Sequence, residues 1–413
     1  MAPKLYPRTT LALLTAINFI NYIDRSVLFA VQPLIQEEFR RSDRAFGFLT
    51  TAFFFSYMFF APVAGVLADR YPRRIIIVTG IAVWSGATLL TGVTHEFSTL
   101  LIRHTIVGIG EASYAAIAPA FIADLFPEHK RGRMLSIFYL AIPVGTAVGY
   151  VVGGHLGHHY GWRTPFYVAA APGFVLAALM SLVPEPRRGS HDLLEETAER
   201  ATLWGLARNG AFWSASLGMA MMTFALGGMQ VWMPTFLSRM RAMPLDRADW
   251  FFGVSIAVNG VVATLFGGWL GDRLLRRTSA AYYFVSAVGM AIGVPLMFAA
   301  IYGTGALMFP AIVAAEFFLL VNTGPLNAAV VNSVGAHIRS SAIAVNLFVI
   351  HLLGDAFSPT LMGWISDKAN LQTAFLSAIF AIALSTAILF YGMRFAPKLR
   401  PEQLAANPTG TGH

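Results

Sequence analysis

Among the ionisable side chains within long apolar stretches of this chain, six stand out: Asp24, Arg25, Arg103, Glu111, Glu316 and Asp355. An ionisable group at the centre of a bilayer costs roughly 2.5–3.5 kcal/mol on insertion scales, so such groups face a cavity or a partner. A carboxyl beside an arginine in a cavity can be tuned to exchange protons near neutral pH. Asp24, Glu111 and Arg103 suit that chemistry, and the same three, with Glu316 and the uncharged Asn322, are candidates for contacting the polar part of a substrate. Each acid can instead be a neutral carboxyl that hydrogen-bonds a neighbouring helix and holds a bundle together. His351 precedes Asp355 by four residues on one helical face, a spacing that fits either a pH-sensitive pair or an ordinary helix contact. Arg103 and Glu111 stand eight residues apart. That is about 12 Å of axial rise, too far for a direct pair.

No nucleophile–base arrangement points to an enzyme. The absence of cysteine excludes a disulfide framework, a thiolate metal site and a cysteine nucleophile together. GIGEAS has a G-x-G, but Ser113 stands where a dinucleotide loop needs its third glycine, and the stretch is apolar on both sides. His155, His158 and His159 cluster without a carboxylate nearby in sequence and read as a hydrated interfacial group rather than a metal site. Neither cofactor nor metal is expected.

The elements that must position these residues follow from composition. Of 413 residues, 56% are hydrophobic and only 12% charged, about half the charged share of a soluble domain. An all-α integral membrane protein follows. Runs long enough to cross about 30 Å of hydrocarbon fall near 10–34, 45–67, 75–93, 98–121, 134–154, 164–183, 210–237, 249–271, 280–301, 305–330, 341–365 and 372–394. The first run has no small-residue cleavage site before it and is expected to remain as a spanning helix. Twelve spans put both termini on one side. That face holds 19 of the 29 lysines and arginines against 8 on the other, which predicts that it is cytoplasmic. The net charge of +8 therefore reflects topology, and no nucleic-acid partner is expected. The expected organisation is a six-helix half over 1–184, a cytoplasmic linker over 185–208, a second half over 209–396 and a cytoplasmic tail over 397–413. Gly145, Gly149 and Gly153 form a smooth face, for which Gly260, Gly267 and Gly271 are a plausible partner.

The two halves repeat. Gly65, Asp69, Arg70, Arg73 and Arg74 recur as Gly268, Asp272, Arg273, Arg276 and Arg277, all at an offset of 203. These loops, GVLADRYPRR and GWLGDRLLRR, resemble the signature loop of the major facilitator superfamily, whose fold is twelve transmembrane helices in two pseudo-symmetric six-helix halves. NYIDR, GIGEASYAAIAPAFIADLF with RMLSIFYLAIPVG after it, and HLLGDAFSP narrow the resemblance to the Spinster family of lysolipid and sphingolipid transporters.

The resemblance implies alternating access, coupled to protons, in a monomer surrounded by membrane lipids. It places the coupling acid on Asp24 and the charged pair of the fourth segment on Arg103 and Glu111. Asp69, Arg70, Arg73, Asp272, Arg273 and Arg276 are expected to gate the terminus-bearing end, with Asp69 near Arg339 and Ser340 and Asp272 near Arg133 at helix N-termini. The expected substrate is a lysophospholipid or sphingoid lipid. A carrier of a small organic anion, sugar or drug, and a lipid receptor without turnover, are the other readings. Short loops suit a bacterial inner membrane.

Overall fold

The structure is a computed structural model that describes residues 6–126, 128–186, 206–334 and 339–396, all of the regular structure being helical. Among the described residues, eleven helices are long and apolar enough to span a membrane. With the more polar Tyr6–Ala30 they make twelve. Numbered as spans, they are α1 (Tyr6–Ala30), α2 (Asp43–Arg70), α3 (Arg73–Thr91), α4 (Phe97–Leu125), α5 (Arg133–Tyr160), α6 (Thr164–Ser181), α7 (Gly210–Arg241), α8 (Leu245–Leu275), α9 (Ala281–Tyr302), α10 (Gly305–Asn332), α11 (Ala342–Lys368) and α12 (Leu371–Phe395). Helix is the form that satisfies every backbone polar group of such segments within hydrocarbon. The linker sequence of residues 187–205 lies outside the described residues.

Four spans break, each just upstream of a proline. α4 loses regular helix at Ala116–Ile117 before Pro119, and α10 at Val321–Asn322 before Pro325. α5 breaks at Leu140 before Pro143, and α11 near Ala356–Phe357 before Pro359. A proline lacks the amide for the helical bond, and its ring crowds the carbonyl four residues back, which falls at the break or one residue before it. These broken pairs stand six spans apart, as a two-fold repeat requires.

The chain forms two compact units. One comprises Met1–Thr197, Gly227–Val258 and Asp355–Leu376, the other Ala198–Leu226, Asn259–Gly354 and Ser377–His413. In the first, α1 lies in a glycine groove of α5. A Cβ on Gly145 would fall 2.6 Å from the Phe19 carbonyl oxygen, and one on Gly149 2.6 Å from Ser26 Cβ. The smooth face is real, but its partner is α1 rather than the α8 glycines, because close backbone approach along α1 already fills it. Gly271 packs instead on Tyr282 within the second unit.

At the terminus-bearing end of the first unit, buried Arg73 bonds Asp124 at 2.5 Å, Glu185 at 3.0 Å and the Pro186 carbonyl. The Arg74 amide donates to Glu185 and its guanidinium to the Val183 carbonyl. The two arginines thus staple α3 to the end of α4 and to the chain leaving α6.

Candidate functional site

α1 carries Asp24 and Arg25 side by side, and a 100° turn per residue sends them to different neighbours. Asp24, 6% exposed, accepts a 2.6 Å hydrogen bond from the Thr88 hydroxyl of α3. Arg25 Nε donates to Glu111 Oε2 of α4 at 2.5 Å, and Glu111 is fully buried. The Arg25 guanidinium lies 5.1 Å from the Tyr22 ring centroid, 4.9 Å from Phe53 and 5.1 Å from Tyr57. Cation–π attraction of this kind strengthens as the cation loses water. Phe53 also stacks on the buried His104 ring at 5.0 Å.

Glycines bring the three helices to these distances. Gly108 lies against Ser56 and the Phe53 carbonyl of α2, and a Cβ on Gly110 would sit 2.8 Å from the Gly80 carbonyl of α3. The two glycines stand three residues and one residue before Glu111 on α4. They let α2 and α3 approach closely enough for Phe53 and Thr88 to reach the α1 pair. The result is an ion pair walled by aromatic rings beside an acid whose described partner is a neutral hydroxyl.

Arg103 lies elsewhere. It donates to the Leu90 carbonyl and the Thr94 hydroxyl, tying α4 to the end of α3. Glu111 thus has a different cation from the one its own helix suggests. Thr88, His104 and the ring-bearing face of α2 are the members that sequence reasoning misses. Six aromatic residues between Phe53 and Phe60 cover the whole circumference of α2, and pattern alone does not say which rings face Arg25.

In the second unit, Glu316 is fully buried and accepts from Asn259 Nδ2 of α8 at 3.0 Å. Buried Asn322 gives its amide to its own helix, at the Phe318 and Leu319 carbonyls. Tyr282 donates to Asp272 at 2.8 Å, while Arg273 and Arg276 are exposed. His351–Asp355 forms a π turn, with Gly354 off helical geometry at φ −99° and ψ −106°, so the ordinary four-residue alignment of the two side chains does not hold there. In the first unit Arg70 and Arg133 are exposed. The Asp69 side chain and those of Arg339 and Ser340 lie outside the described residues.

A further polar network closes the end of the first unit remote from the termini. Asp43 at the start of α2 accepts from Arg239 of α7 at 2.7 Å, from Gln36 at 2.8 Å and from Ser366 of α11 at 2.5 Å. Asp367 of α11 accepts from the Asp43 and Arg44 amides at 2.8 and 3.0 Å, capping α2. Nearby, Arg163 clamps Glu38 at 2.6 Å and Trp162 donates to the same carboxylate. These hydrogen bonds hold the Glu38 carboxyl below the usual carboxylate range.

The Major Facilitator Superfamily pattern matches residues 14–359. The chain is 37% identical over 382 residues to Protein spinster homolog 3 of Danio rerio, covering 87% of this chain and 76% of that one. It is 37% identical over 407 residues to Protein spinster homolog 1 of Homo sapiens, covering 91% and 76%. A crystal structure of a bacterial homologue of the human lysosomal transporter Spinster, inward-facing and unoccupied, superposes with a TM-score of 0.88 at 23% identity over 96% of this chain and 98% of that one. A nucleoside transporter shares the fold at a TM-score of 0.71 and 12% identity over 93% and 99%. The fold is therefore that of a major facilitator, a multi-pass membrane transporter and not an enzyme. Within that superfamily the chain belongs to the Spinster family.

Proposed function

We propose that this transporter moves a lysophospholipid or sphingoid lipid by alternating access, driven by protons through Asp24. The observation that carries the reading is the α1 cluster. A buried acid whose partner among the described residues is a hydroxyl stands next to an ion pair held among aromatic rings. An amphiphile needs both kinds of wall: charge for its headgroup and apolar surface for its tail. Asp24 takes and releases the proton, while Arg25 and Glu111 meet the charged headgroup. Glu316, held by Asn259, is the second unit's buried acid and a further headgroup contact.

The positive-inside bias supports cytoplasmic termini, and the short loops support a bacterial inner membrane. The repeated acidic and basic loops gate the cytoplasmic end, with Asp69, Arg70, Asp272, Arg273 and Arg276 as the moving contacts. Arg73 serves there as a fixed staple, since both of its acidic partners belong to its own unit.

The test is flux of labelled lysophosphatidylcholine and sphingosine-1-phosphate into proteoliposomes, with unlabelled lysolipids, sugars and organic anions as competitors. Flux that only lysolipids or sphingoid lipids suppress is expected. Flux of neither lipid, with uptake of a labelled sugar or organic anion instead, would replace this reading with a small-solute carrier. Tight lipid binding without flux would replace it with a receptor.

A further inference from the structure

Asp249, the fifth residue of α8, is fully buried, and among the described residues neither of its carboxyl oxygens has a hydrogen-bond partner. It is pressed onto α5, where a Cβ on Gly154 would fall 2.6 Å from Oδ2 and 2.8 Å from the Asp249 Cβ. The next turn continues the seat. A Cβ on Gly253 would meet Tyr150 Cβ at 2.8 Å, Phe252 packs edge-on against the Tyr150 ring at 5.3 Å, and the Tyr150 hydroxyl donates to the Gln230 carbonyl of α7 at 2.5 Å. α5 and the first turns of α8 therefore meet through glycines and one acid.

The charged groups around this contact do not answer a negative charge on Asp249. Its electrostatic neighbour on α8 is Asp246, a second acid. On α5, His155, His158 and His159 are exposed and pack against one another, with centroids 4.6 and 5.1 Å apart. On α7, Arg239 is engaged by Asp43 and Gln36, and Arg241 lies over the Phe236 ring. An isolated carboxylate without donors or water is costly, whereas a neutral acid in the same place is tolerated far better. Separating α8 from α5 would give the carboxyl water and remove that constraint.

We propose that Asp249 is a second proton-binding site, separate from Asp24, which is loaded when α8 seats on α5 and emptied when the two helices part. The inference rests on the alternating-access reading above. It adds a proton-dependent lock at the end remote from the termini. Proton binding favours closure there, and proton release favours opening.

Because the chain has no cysteine, spin labels at Tyr160→Cys and Arg247→Cys, both exposed, read this contact directly in substrate-free proteoliposomes. Between about pH 5 and about pH 8 the short-distance population of the parent is expected to grow with acid, its ratio to the long-distance population changing about tenfold per pH unit for one linked proton. Asp249→Asn, which keeps the shape without the charge, is expected to stay at the short distance with no pH response. Gly154→Ala sets a methyl against Oδ2 and is expected to favour the long distance while keeping the response. A parent-like slope in Asp249→Asn, or a parent without any slope, overturns the proposal. No substrate is used, so failure of lipid flux does not affect the outcome. A slope that survives in Asp249→Asn but disappears in Asp24→Asn overturns this inference alone and leaves the proposed function standing.

Discussion

Arg25 and Glu111 form a buried ion pair, and the cost of such a pair is felt when one member is removed. Glu111→Gln leaves the guanidinium among three rings without a counter-charge, which costs about 3 kcal/mol or more. Arg103→Ala removes hydrogen bonds to a carbonyl and a hydroxyl near the end of α3, worth about 1 kcal/mol. Thermal unfolding in detergent is expected to rank the two variants in that order, and equal losses would contradict the assigned pairing. Glu38 gives a pH signature outside the membrane. Its folded carboxyl titrates below the usual range, so the Arg163 clamp contributes stability above the unfolded value of about 4.3 and loses it as pH falls through the lower folded value. The difference in melting temperature between parent and Glu38→Gln is expected to be small, since the pair is partly exposed, and to vanish on acidification. The costly residues were legible in the sequence because apolar surroundings make a charge conspicuous. Their partners were not, since the rotation of α1 about its own axis decides whether Arg25 turns toward Glu111 on α4.

Helices here are positioned by what they lack as much as by what they carry. Gly149→Ala would set a methyl 2.6 Å from Ser26 Cβ and 2.7 Å from the Ile23 carbonyl, an overpacking that costs about 1–3 kcal/mol. Gly86→Ala in α3 meets nothing within 4 Å and gains the helix propensity of alanine, about 0.5–1 kcal/mol. Opposite shifts in melting temperature are expected from these two exchanges; a shared sign would mean that the α1–α5 contact does not control stability. Span existence was readable because twenty apolar residues admit few alternatives to a crossing helix. The ends were less readable. The run predicted over 10–34 divides into α1 and a separate short helix Gln32–Phe39, with Pro33 just inside the second piece. The glycine face of α5 was also visible, yet its partner required knowing which helix lies beside it.

At the scale of the molecule, a repeat at one offset implied two halves, and matched breaks before Pro119 and Pro325, and before Pro143 and Pro359, agree with it. The network around Asp43 was not foreseeable, because besides nearby Gln36 it gathers Arg239, Ser366 and Asp367 from helices far apart in the chain. Arg239→Ala is expected to lower the closed population at that end about fivefold, the equivalent of about 1 kcal/mol for a partly exposed pair, as read by the same spin-label pair. An unchanged distribution would make the network incidental to gating. The decisive measurement is lysophosphatidylcholine and sphingosine-1-phosphate flux in proteoliposomes with and without an imposed pH gradient, for the parent and for Asp24→Asn. Gradient-driven flux in the parent that is lost in a correctly inserted variant is the expected result; flux of the variant that still follows the gradient would contradict the role of Asp24.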